Sequence, residues 1–485
     1  MARAIPVRPD DEAARALRVL ESTGLTQLMV TLDATIINIA LPRAQVALGF
    51  SAGEREWVVT AYALSFGSLL LLGGRLGDIW GRRAALVVGL VGFAGASAVG
   101  GAATSFAVLV GARAVQGAFG AVLAPAALAA VTTAFSDPDE RARAFSIYGA
   151  LAGSGAALGL ILGGALTQWA SWRWCLYVNL VFAAVALVGV IPLVAGGRGP
   201  YHRHVDLLGA LSASLGLFGV VYGLSHAVTA SWSGPLTWGS IAAGLGILAL
   251  FVLAERRSSH PLLPMRVVLD RARGGSLIGL LLSNLALFGA SLFLAYYLEN
   301  SLGYSPLRTG VAFLAMVAAL AVSAQVAAAR LITLSGPRPL LPAGMLLSAL
   351  GLILFTRLPL RADYLGDVLP GLVLVGLGLG LVFAPGIATA TGRVAPADAG
   401  AASASVNTVQ QIGASIGVAL LNTLAVDATA RSLGAGTSPL ALARATLHGY
   451  VVAFAWAAGI LLAGALVLVV LLPSVGSLSV SQPSE

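Results

Sequence analysis

Long apolar stretches separated by short polar segments make up most of this chain. We count fourteen such stretches, each close to the roughly 20 residues that an α-helix needs to cross a bilayer. None alternates with a period of two, as the strands of a membrane barrel do, so the pattern predicts an all-α polytopic membrane protein. The stretches cover residues 22–46, 56–75, 84–103, 106–132, 143–167, 174–195, 206–226, 237–254, 274–299, 308–331, 339–357, 367–390, 400–425 and 448–472.

Composition supports this class and excludes several others. Of the 485 residues, 58% are hydrophobic and only 10% are charged, which no soluble domain matches. The 28 basic residues, all arginine, are scattered between the apolar stretches, so the positive-inside rule explains them better than a nucleic-acid partner would. A single cysteine, Cys175, excludes an internal disulfide and a cysteine metal cluster, and we expect no metal site.

The distribution of arginines predicts the orientation of the chain. With the N-terminus in the cytoplasm, nineteen arginines fall on the cytoplasmic side and eight on the other, so both termini are expected to be cytoplasmic. The two most polar connections enclose two apolar stretches, with six before and six after, an arrangement typical of transporters built from repeats. The predicted parts are a cytoplasmic arm 1–21, a six-helix bundle 22–198, two inserted helices with linkers 199–260, a second six-helix bundle 261–473 and a cytoplasmic tail 474–485.

One carboxylate lies deep within the first apolar stretch. Asp33 is ~15 Å from its inner end by helix rise, near the middle of a bilayer. A charge there costs at least about 2.5–3.5 kcal/mol on insertion scales, so the side chain should face a bundle interior or a watery cavity. A packing role is the simpler alternative, although serine or asparagine would serve at lower cost. We favour a proton carrier, because burial favours a protonated carboxyl group and access to water favours the ionised form.

A second charge lies within the fourth stretch. Arg113 is about 10 Å from the outer surface, so its depth differs from that of Asp33 by only about 5 Å, and the two side chains can meet if their helices are neighbours. Gln116, three residues later, lies on the same helix face. A structural arginine bound to backbone carbonyls is the alternative interpretation.

The segment after the second stretch, residues 73–86, reads GGRLGDIWGRRAAL. Its glycines permit a tight turn, its aspartate suits a helix N-terminus, and its arginines anchor at the cytoplasmic surface. An ordinary positive-inside turn would explain the arginines alone. The residues that we assign to a cytoplasmic gate are Gly74, Gly77, Asp78, Gly81, Arg82 and Arg83.

This segment resembles the signature loop of the major facilitator superfamily. LDATIINIALP at 32–42, RAVQGAFG at 113–120 and NTVQQIGASIGVALL at 407–421 resemble motifs of the fourteen-span drug:proton antiporters of that superfamily. The resemblance implies two six-helix bundles with two inserted helices, and proton-coupled efflux of drugs or antibiotics across the cytoplasmic membrane. It also implies a proton path through Asp33 and Arg113, and a transporter driven by the proton gradient, with no enzymatic activity and no cofactor.

The fifth stretch departs from the family pattern, because Leu160 follows Gly159 where a proline is usual. Glycines at four-residue spacing give this helix a smooth face for close contact with a neighbour. Loss of the proline removes a point at which the helix would kink easily. In the family, this helix is proposed to prevent leak across the membrane, and whether it does so here is left open. The helix-packing candidates are Gly155, Gly159, Gly163 and Gly164.

Polar and aromatic side chains in the other stretches are candidates for a substrate cavity, since ligand pockets are mostly apolar with few polar groups. Helix packing is the alternative for most of the amides. The candidates are Asn38, Tyr62, Phe66, Gln116, Tyr148, Asn284, Tyr296, Phe383, Asn407 and Gln410.

We therefore predict a monomeric exporter in the lipid bilayer that exchanges protons for amphipathic or cationic small molecules by alternating access. Three alternatives are a dedicated exporter of one self-made metabolite or antibiotic, a lipid or glycolipid flippase of the same fold, and a membrane sensor or scaffold that transports nothing.

Overall fold

The computed structural model describes residues 9–51, 54–135, 137–193, 207–230, 234–257, 269–392, 394, 399–434 and 438–472. Fourteen long helices follow one another in these ranges, and no strand occurs among the described residues. The prediction of an all-α fold is confirmed. The helices are α1 Pro9–Leu48, α2 Glu56–Trp80, α3 Arg82–Gly101, α4 Phe106–Ala134, α5 Pro138–Trp169, α6 Trp174–Leu193, α7 Leu207–Ala230, α8 Pro235–Arg257, α9 Arg271–Tyr296, α10 Pro306–Val326, α11 Pro337–Phe355, α12 Leu369–Thr391, α13 Ala399–Leu433 and α14 Pro439–Leu471.

Short π-helical turns adjoin three helices of the second half, and one four-residue helical turn precedes α11. The π-helical turn at the end of α9 carries Glu299 and adds a turn to the ninth apolar stretch. These segments are Tyr297–Ser301 after α9, Ala327–Leu331 after α10, Ile332–Ser335 before α11 and Tyr364–Val368 before α12.

Each predicted apolar stretch corresponds to one helix. Within the described residues, 11 helices are long and apolar enough to cross a membrane. The other three, α2, α5 and α7, contain the shorter apolar segments Trp57–Leu70, Leu158–Trp169 and Leu211–Val220. The first helix begins at Pro9, so part of the predicted arm 1–21 is helical. Residues 199–206 and 258–260 of the predicted linkers, residues 261–268 of the predicted second bundle, and the predicted tail 474–485 lie outside the described residues.

Helices α1 to α6 and helices α9 to α14 pack in the same pattern. Helix α1 packs against α4, α5 and α6, and α9 packs in the same way against α12, α13 and α14. Helices α2 and α3 both pack against α4, as α10 and α11 both pack against α12. We call these two six-helix sets the first half and the second half. The repeat agrees with an arrangement of two bundles.

Glycines let α5 approach α1 closely. A Cβ atom added to Gly155 would lie 2.8 Å from the carbonyl oxygen of Leu28, and one on Gly159 would lie 2.8 Å from that of Leu32. One on Gly163 would lie within 3.0 Å of the backbone of α1. Side chains at these positions would therefore push the two helices apart.

The inserted helices α7 and α8 form a hairpin beside the two halves. Helix α7 packs against α2 of the first half and α13 of the second, so it covers the seam between them. The hydroxyl of Ser214 on α7 donates to the carbonyl oxygen of Ser68 on α2 at 2.5 Å. Helix α8 packs on the outer side of α7, where Gly244 allows close contact, since a Cβ there would lie 2.6 Å from the carbonyl oxygen of Gly216.

The two halves meet at the end of the bundle where α1 connects to α2, which we call the α1–α2 end. Arg55 at the start of α2 donates from Nε to Oδ1 of Asn422 on α13 at 3.2 Å. Its Cζ atom lies 4.2 Å from the ring centroid of Tyr296 on α9 and 5.5 Å from that of Phe293. The Tyr296 hydroxyl donates to Oε1 of Gln45 on α1 at 2.8 Å. Side chains from four helices of both halves thus close this end.

Helices α5 and α10 complete the contact between the halves on the opposite seam. A Cβ atom on Gly164 would lie 2.7 Å from the carbonyl oxygen of Pro306, and one on Gly310 would lie 2.9 Å from the carbonyl carbon of Leu160. Two backbones can approach this closely only where glycine is present. Leu160, which replaces the usual proline, is therefore part of the seam between the halves.

Candidate functional site

Asp33 lies near the middle of the candidate span Ala16–Leu48 and faces the interior of the first half, with 0% of its surface exposed. Its Oδ2 atom lies 2.6 Å from Nη1 of Arg113, whose side chain is 1% exposed. The structure therefore brings together the two intramembrane charges that the sequence placed at similar depth. A buried charge persists only when it is paired and hydrogen-bonded, which this pair satisfies.

Three N–H donors hold the carboxylate of Asp33. Besides Arg113 on Oδ2, Nε2 of Gln116 donates to Oδ1 at 2.8 Å and Nδ2 of Asn179 donates to Oδ1 at 2.6 Å. The same two amide groups donate to Oγ of Ser97, at 2.7 Å from Gln116 and 3.2 Å from Asn179. Because every group on the carboxylate oxygens is a donor, the arrangement matches the ionised form of the side chain.

Arg113 has structural partners as well as an ionic one. Its Nη1 atom also donates to Oε1 of Gln116 at 2.6 Å, and its Nε atom donates to the backbone carbonyl of Val58 at 3.2 Å. Its Cζ atom lies 4.2 Å from the ring centroid of Tyr62 on α2. Arg113 therefore fits both interpretations, because its side chain binds a backbone carbonyl and also pairs with the charge of Asp33.

Four helices of the first half, α1, α3, α4 and α6, contribute side chains to this polar network. Gln116 follows Arg113 by one helical turn, so both side chains leave the same face of α4 toward α1. Neither Ser97 nor Asn179 was among the residues predicted from the sequence. The signal for both is weak, because a neutral polar residue in an apolar helix is usually a packing residue. We call Asp33, Ser97, Arg113, Gln116 and Asn179 the carboxylate network.

The predicted gate segment differs from expectation in its backbone. Helix α2 continues to Trp80, so Gly74 and Gly77 are helical and do not take part in a turn. Gly81 alone separates α2 from α3, with φ 85° and ψ 148°. The prediction of a turn over three glycines is wrong, since one glycine with positive φ is sufficient to reverse the chain and helix continues elsewhere.

The charged residues of the gate segment differ in their exposure. Arg82 is partly buried and Arg83 is exposed at the start of α3. The side chain of Asp78 lies outside the part of the chain that the structure describes, so its predicted gate role stays a prediction.

The predicted cavity residues of the first half are packed in its interior. The rings of Tyr62 and Phe66 lie 5.7 Å apart, both are buried, and Tyr62 meets Phe93 edge-on at 6.5 Å. Gln116 belongs to the carboxylate network, and Asn38 is buried. The side chain of Tyr148 lies outside the described residues.

The predicted cavity residues of the second half do not line one cavity together with those of the first half in this conformation. Tyr296 lies at the α1–α2 end, and Asn284 donates to the carbonyl oxygen of Leu280 on its own helix at 2.9 Å. A small apolar cavity lies instead among α9 to α12 and α14 of the second half, next to residues such as Ala290 and Phe313. Helix packing explains the dispersal of the predicted residues. The remaining candidates, Phe383, Asn407 and Gln410, are partly buried.

Comparisons with known proteins establish the class. The model of the Major Facilitator Superfamily matches residues 23–418 of this chain, which therefore belongs to that superfamily. An auto-inhibited peptide transporter of the POT family shares the fold, with a TM-score of 0.67 and 14% identity over 97% of this chain and 99% of that chain.

Two curated relatives are closer in sequence. The puromycin resistance protein pur8 of Streptomyces alboniger is 48% identical over 451 residues, 92% of this chain and 90% of that protein. The cephamycin export protein CmcT of Amycolatopsis lactamdurans is 37% identical over 407 residues, 83% of this chain and 84% of that protein. The chain is thus a multi-pass membrane transporter of small molecules, and its relatives are antibiotic resistance and export proteins.

Proposed function

We propose that this protein exports antibiotics or similar amphipathic molecules across the cytoplasmic membrane in exchange for protons. The observation that carries the proposal is Asp33, a fully buried carboxylate at mid-span that is paired with Arg113. Such intramembrane ion pairs are costly and mark ion or proton pathways in transporters. The sequence relationship to resistance and export proteins supports the choice of antibiotics as substrates.

The exchange uses the charge of Asp33. Binding of a proton neutralises the carboxylate and removes its attraction for Arg113, so the carboxylate network must rearrange when the proton arrives and when it leaves. With both termini in the cytoplasm, as the arginine distribution predicts, the α1–α2 end faces outward. We assign this conformation to a state of the proposed cycle that is closed to the outside and in which Asp33 has released its proton, so that the next substrate enters from the cytoplasm.

The available driving force is sufficient for useful accumulation. One charge that crosses 100 mV releases about 2.3 kcal/mol. Because each 1.4 kcal/mol corresponds to a tenfold ratio, one proton supports roughly fiftyfold accumulation of a neutral substrate.

A dedicated exporter of one self-made antibiotic is the second candidate. The relatives are named for single compounds, puromycin and cephamycin, which favours a narrow specificity. A susceptibility panel in an efflux-deficient host separates the two candidates. Protection against puromycin alone would indicate a dedicated exporter, and protection against several unrelated cationic compounds would indicate a multidrug exporter.

Reconstituted vesicles with a pH gradient test the proton coupling. Wild-type protein should accumulate puromycin with the gradient and stop when an uncoupler is added. Asp33→Asn should fold and insert but lose gradient-driven transport. Asp427→Asn, which removes an exposed carboxylate paired with Arg431 on the same helix, is the matched control and should transport normally. Full gradient-driven transport by Asp33→Asn would refute the proposal.

A further inference from the structure

The carboxylate network has one acceptor without a partner. Oδ1 of Asn179 is buried and accepts no hydrogen bond from the described residues, while Nδ2 of the same amide donates to Asp33 and Ser97. The Asn179 side chain is 0% exposed. An unpaired buried acceptor costs about 1–3 kcal/mol, so its presence beside a titratable carboxylate requires a reason.

Protonation of Asp33 would create the missing partner. A protonated carboxyl group becomes a donor and needs an acceptor. Within the carboxylate network, Arg113 can only donate, and Oε1 of Gln116 already accepts from Arg113 at 2.6 Å. Ser97 already accepts from two amides. The unpaired Oδ1 of Asn179 belongs to the amide that contacts the Asp33 carboxylate at 2.6 Å.

We propose that Asn179 is a positioning residue that responds to the protonation of Asp33 by reversing its side-chain amide. When Asp33 is ionised, Nδ2 faces the carboxylate and donates to it, as in this structure. When a proton arrives from water and binds Oδ1 of Asp33, the amide turns by half a rotation about its terminal torsion and its oxygen accepts that proton in a hydrogen bond. The terminal torsion of asparagine is broad and roughly two-fold, so the reversal has low intrinsic cost. No covalent bond changes apart from the O–H bond of the carboxyl group.

This role rests on the proposed function of Asp33 and adds a specific consequence. Reversal of the Asn179 amide withdraws one donor from Ser97, so protonation at α1 is transmitted through α6 to α3. Gln116 cannot act in the same way, because turning its amide would break the charge-assisted bond from Arg113. Gln116 therefore provides a matched control: it donates to the same carboxylate oxygen but has no free acceptor.

The titratable and charged groups around Asp33 come from the helices packed against α1. Arg113 of α4, Tyr62 of α2 and Cys175 of α6 interact electrostatically with Asp33 or with the pair that it forms. Among the described residues, the charged side chains of the other helices packed against α1 lie at helix ends. They include Glu140 on α5, Arg271 and Arg273 on α9, Glu299 in the π-helical turn after α9, Arg308 on α10, and Arg330 in the π-helical turn after α10.

Infrared difference spectroscopy across a pH titration tests the inference on the purified full-length protein. A carboxyl C=O band that appears on acidification and is absent in Asp33→Asn reports protonated Asp33. Because donation of a hydrogen bond lowers this stretching frequency, Asn179→Leu should move the band to higher frequency. Gln116→Leu removes a donor to the carboxyl group but no acceptor of its proton, so it should not raise the frequency of the band. An unmoved band in Asn179→Leu would overturn the role of Asn179.

A second measurement needs no substitution at Asn179. In wild-type protein with isotope-labelled asparagine amide carbonyls, acidification should lower the frequency of one Asn carbonyl as it gains a hydrogen bond. That shift should be absent in Asp33→Asn, and a spectrum without the shift in wild type would refute the amide reversal. If the Asp33 carboxyl band itself is missing from wild type, the proton role of Asp33 fails, and the role of Asn179 fails with it.

Discussion

Replacement of Arg55 by glutamine should open the α1–α2 end. The arginine is buried, donates to Asn422 and lies 4.2 Å from the ring centroid of Tyr296. These contacts join α2 of the first half to α13 and α9 of the second, and they must break when the halves separate at this end. The substitution removes the cation but keeps a side chain of similar length.

The size of the expected destabilisation follows from the contacts that Arg55 loses. A hydrogen bond contributes about 0.5–1.5 kcal/mol, and a cation–π contact contributes about 0.5–2 kcal/mol. Loss of part of both should destabilise the closed state by about 1–3 kcal/mol, which shifts the equilibrium between closed and open states by about 5- to 150-fold.

Spin labels on exposed positions at this end, Val46 of α1 and Leu365 before α12, can report the separation of the halves. Arg55→Gln should add a population at longer distance. Arg431→Gln, which breaks an exposed ion pair with Asp427, should change nothing, because surface pairs contribute little. An unchanged distance distribution in Arg55→Gln would show that this contact does not hold the end closed.

Three further substitutions have expected outcomes. Gly159→Val should separate α5 from α1 and lower the melting temperature and transport, whereas Gly111→Val, which has open space, should do neither. Gly81→Ala forces φ 85° on a residue with a side chain, which should destabilise the protein by about 1–3 kcal/mol in denaturant titrations. Hydrogen bonds from Ser51 lower the pKa of Glu54 below 4.5, so this turn stabilises the protein above that pH and loses the contribution as pH falls through the lowered pKa. Glu54→Gln should remove that pH dependence from local hydrogen exchange.

The fold was largely predictable because the bilayer imposes one length and one composition on every span. The fourteen apolar stretches each correspond to a helix, and the count of six, two and six matches the packing of the halves and the hairpin. The boundaries were less predictable: α1 begins at Pro9, well before its apolar stretch, and α2 runs to Trp80 through glycines. A helix can continue through polar residues and glycines where packing against neighbouring helices stabilises it.

The candidate site was predictable only for its charges. Asp33 and Arg113 stand out because a charge in an apolar stretch is rare and costly. Ser97 and Asn179 do not stand out, since their contribution depends on how α3 and α6 pack against α1. The substrate cavity could not be predicted either, because its lining depends on how far apart the two halves lie. That distance changes with the conformation and is not set by the sequence of any single helix.

The number of protons released when substrate binds to the purified protein shows whether Asp33 carries the exchanged proton. Calorimetric titration with a compound that the susceptibility panel identifies as a substrate, in buffers of different ionisation enthalpy, gives this number without any membrane gradient. Wild-type protein should release protons when it binds the substrate, and Asp33→Asn should release none although it should still bind the same compound. Equal proton release by the two proteins would contradict the claim that Asp33 carries the exchanged proton.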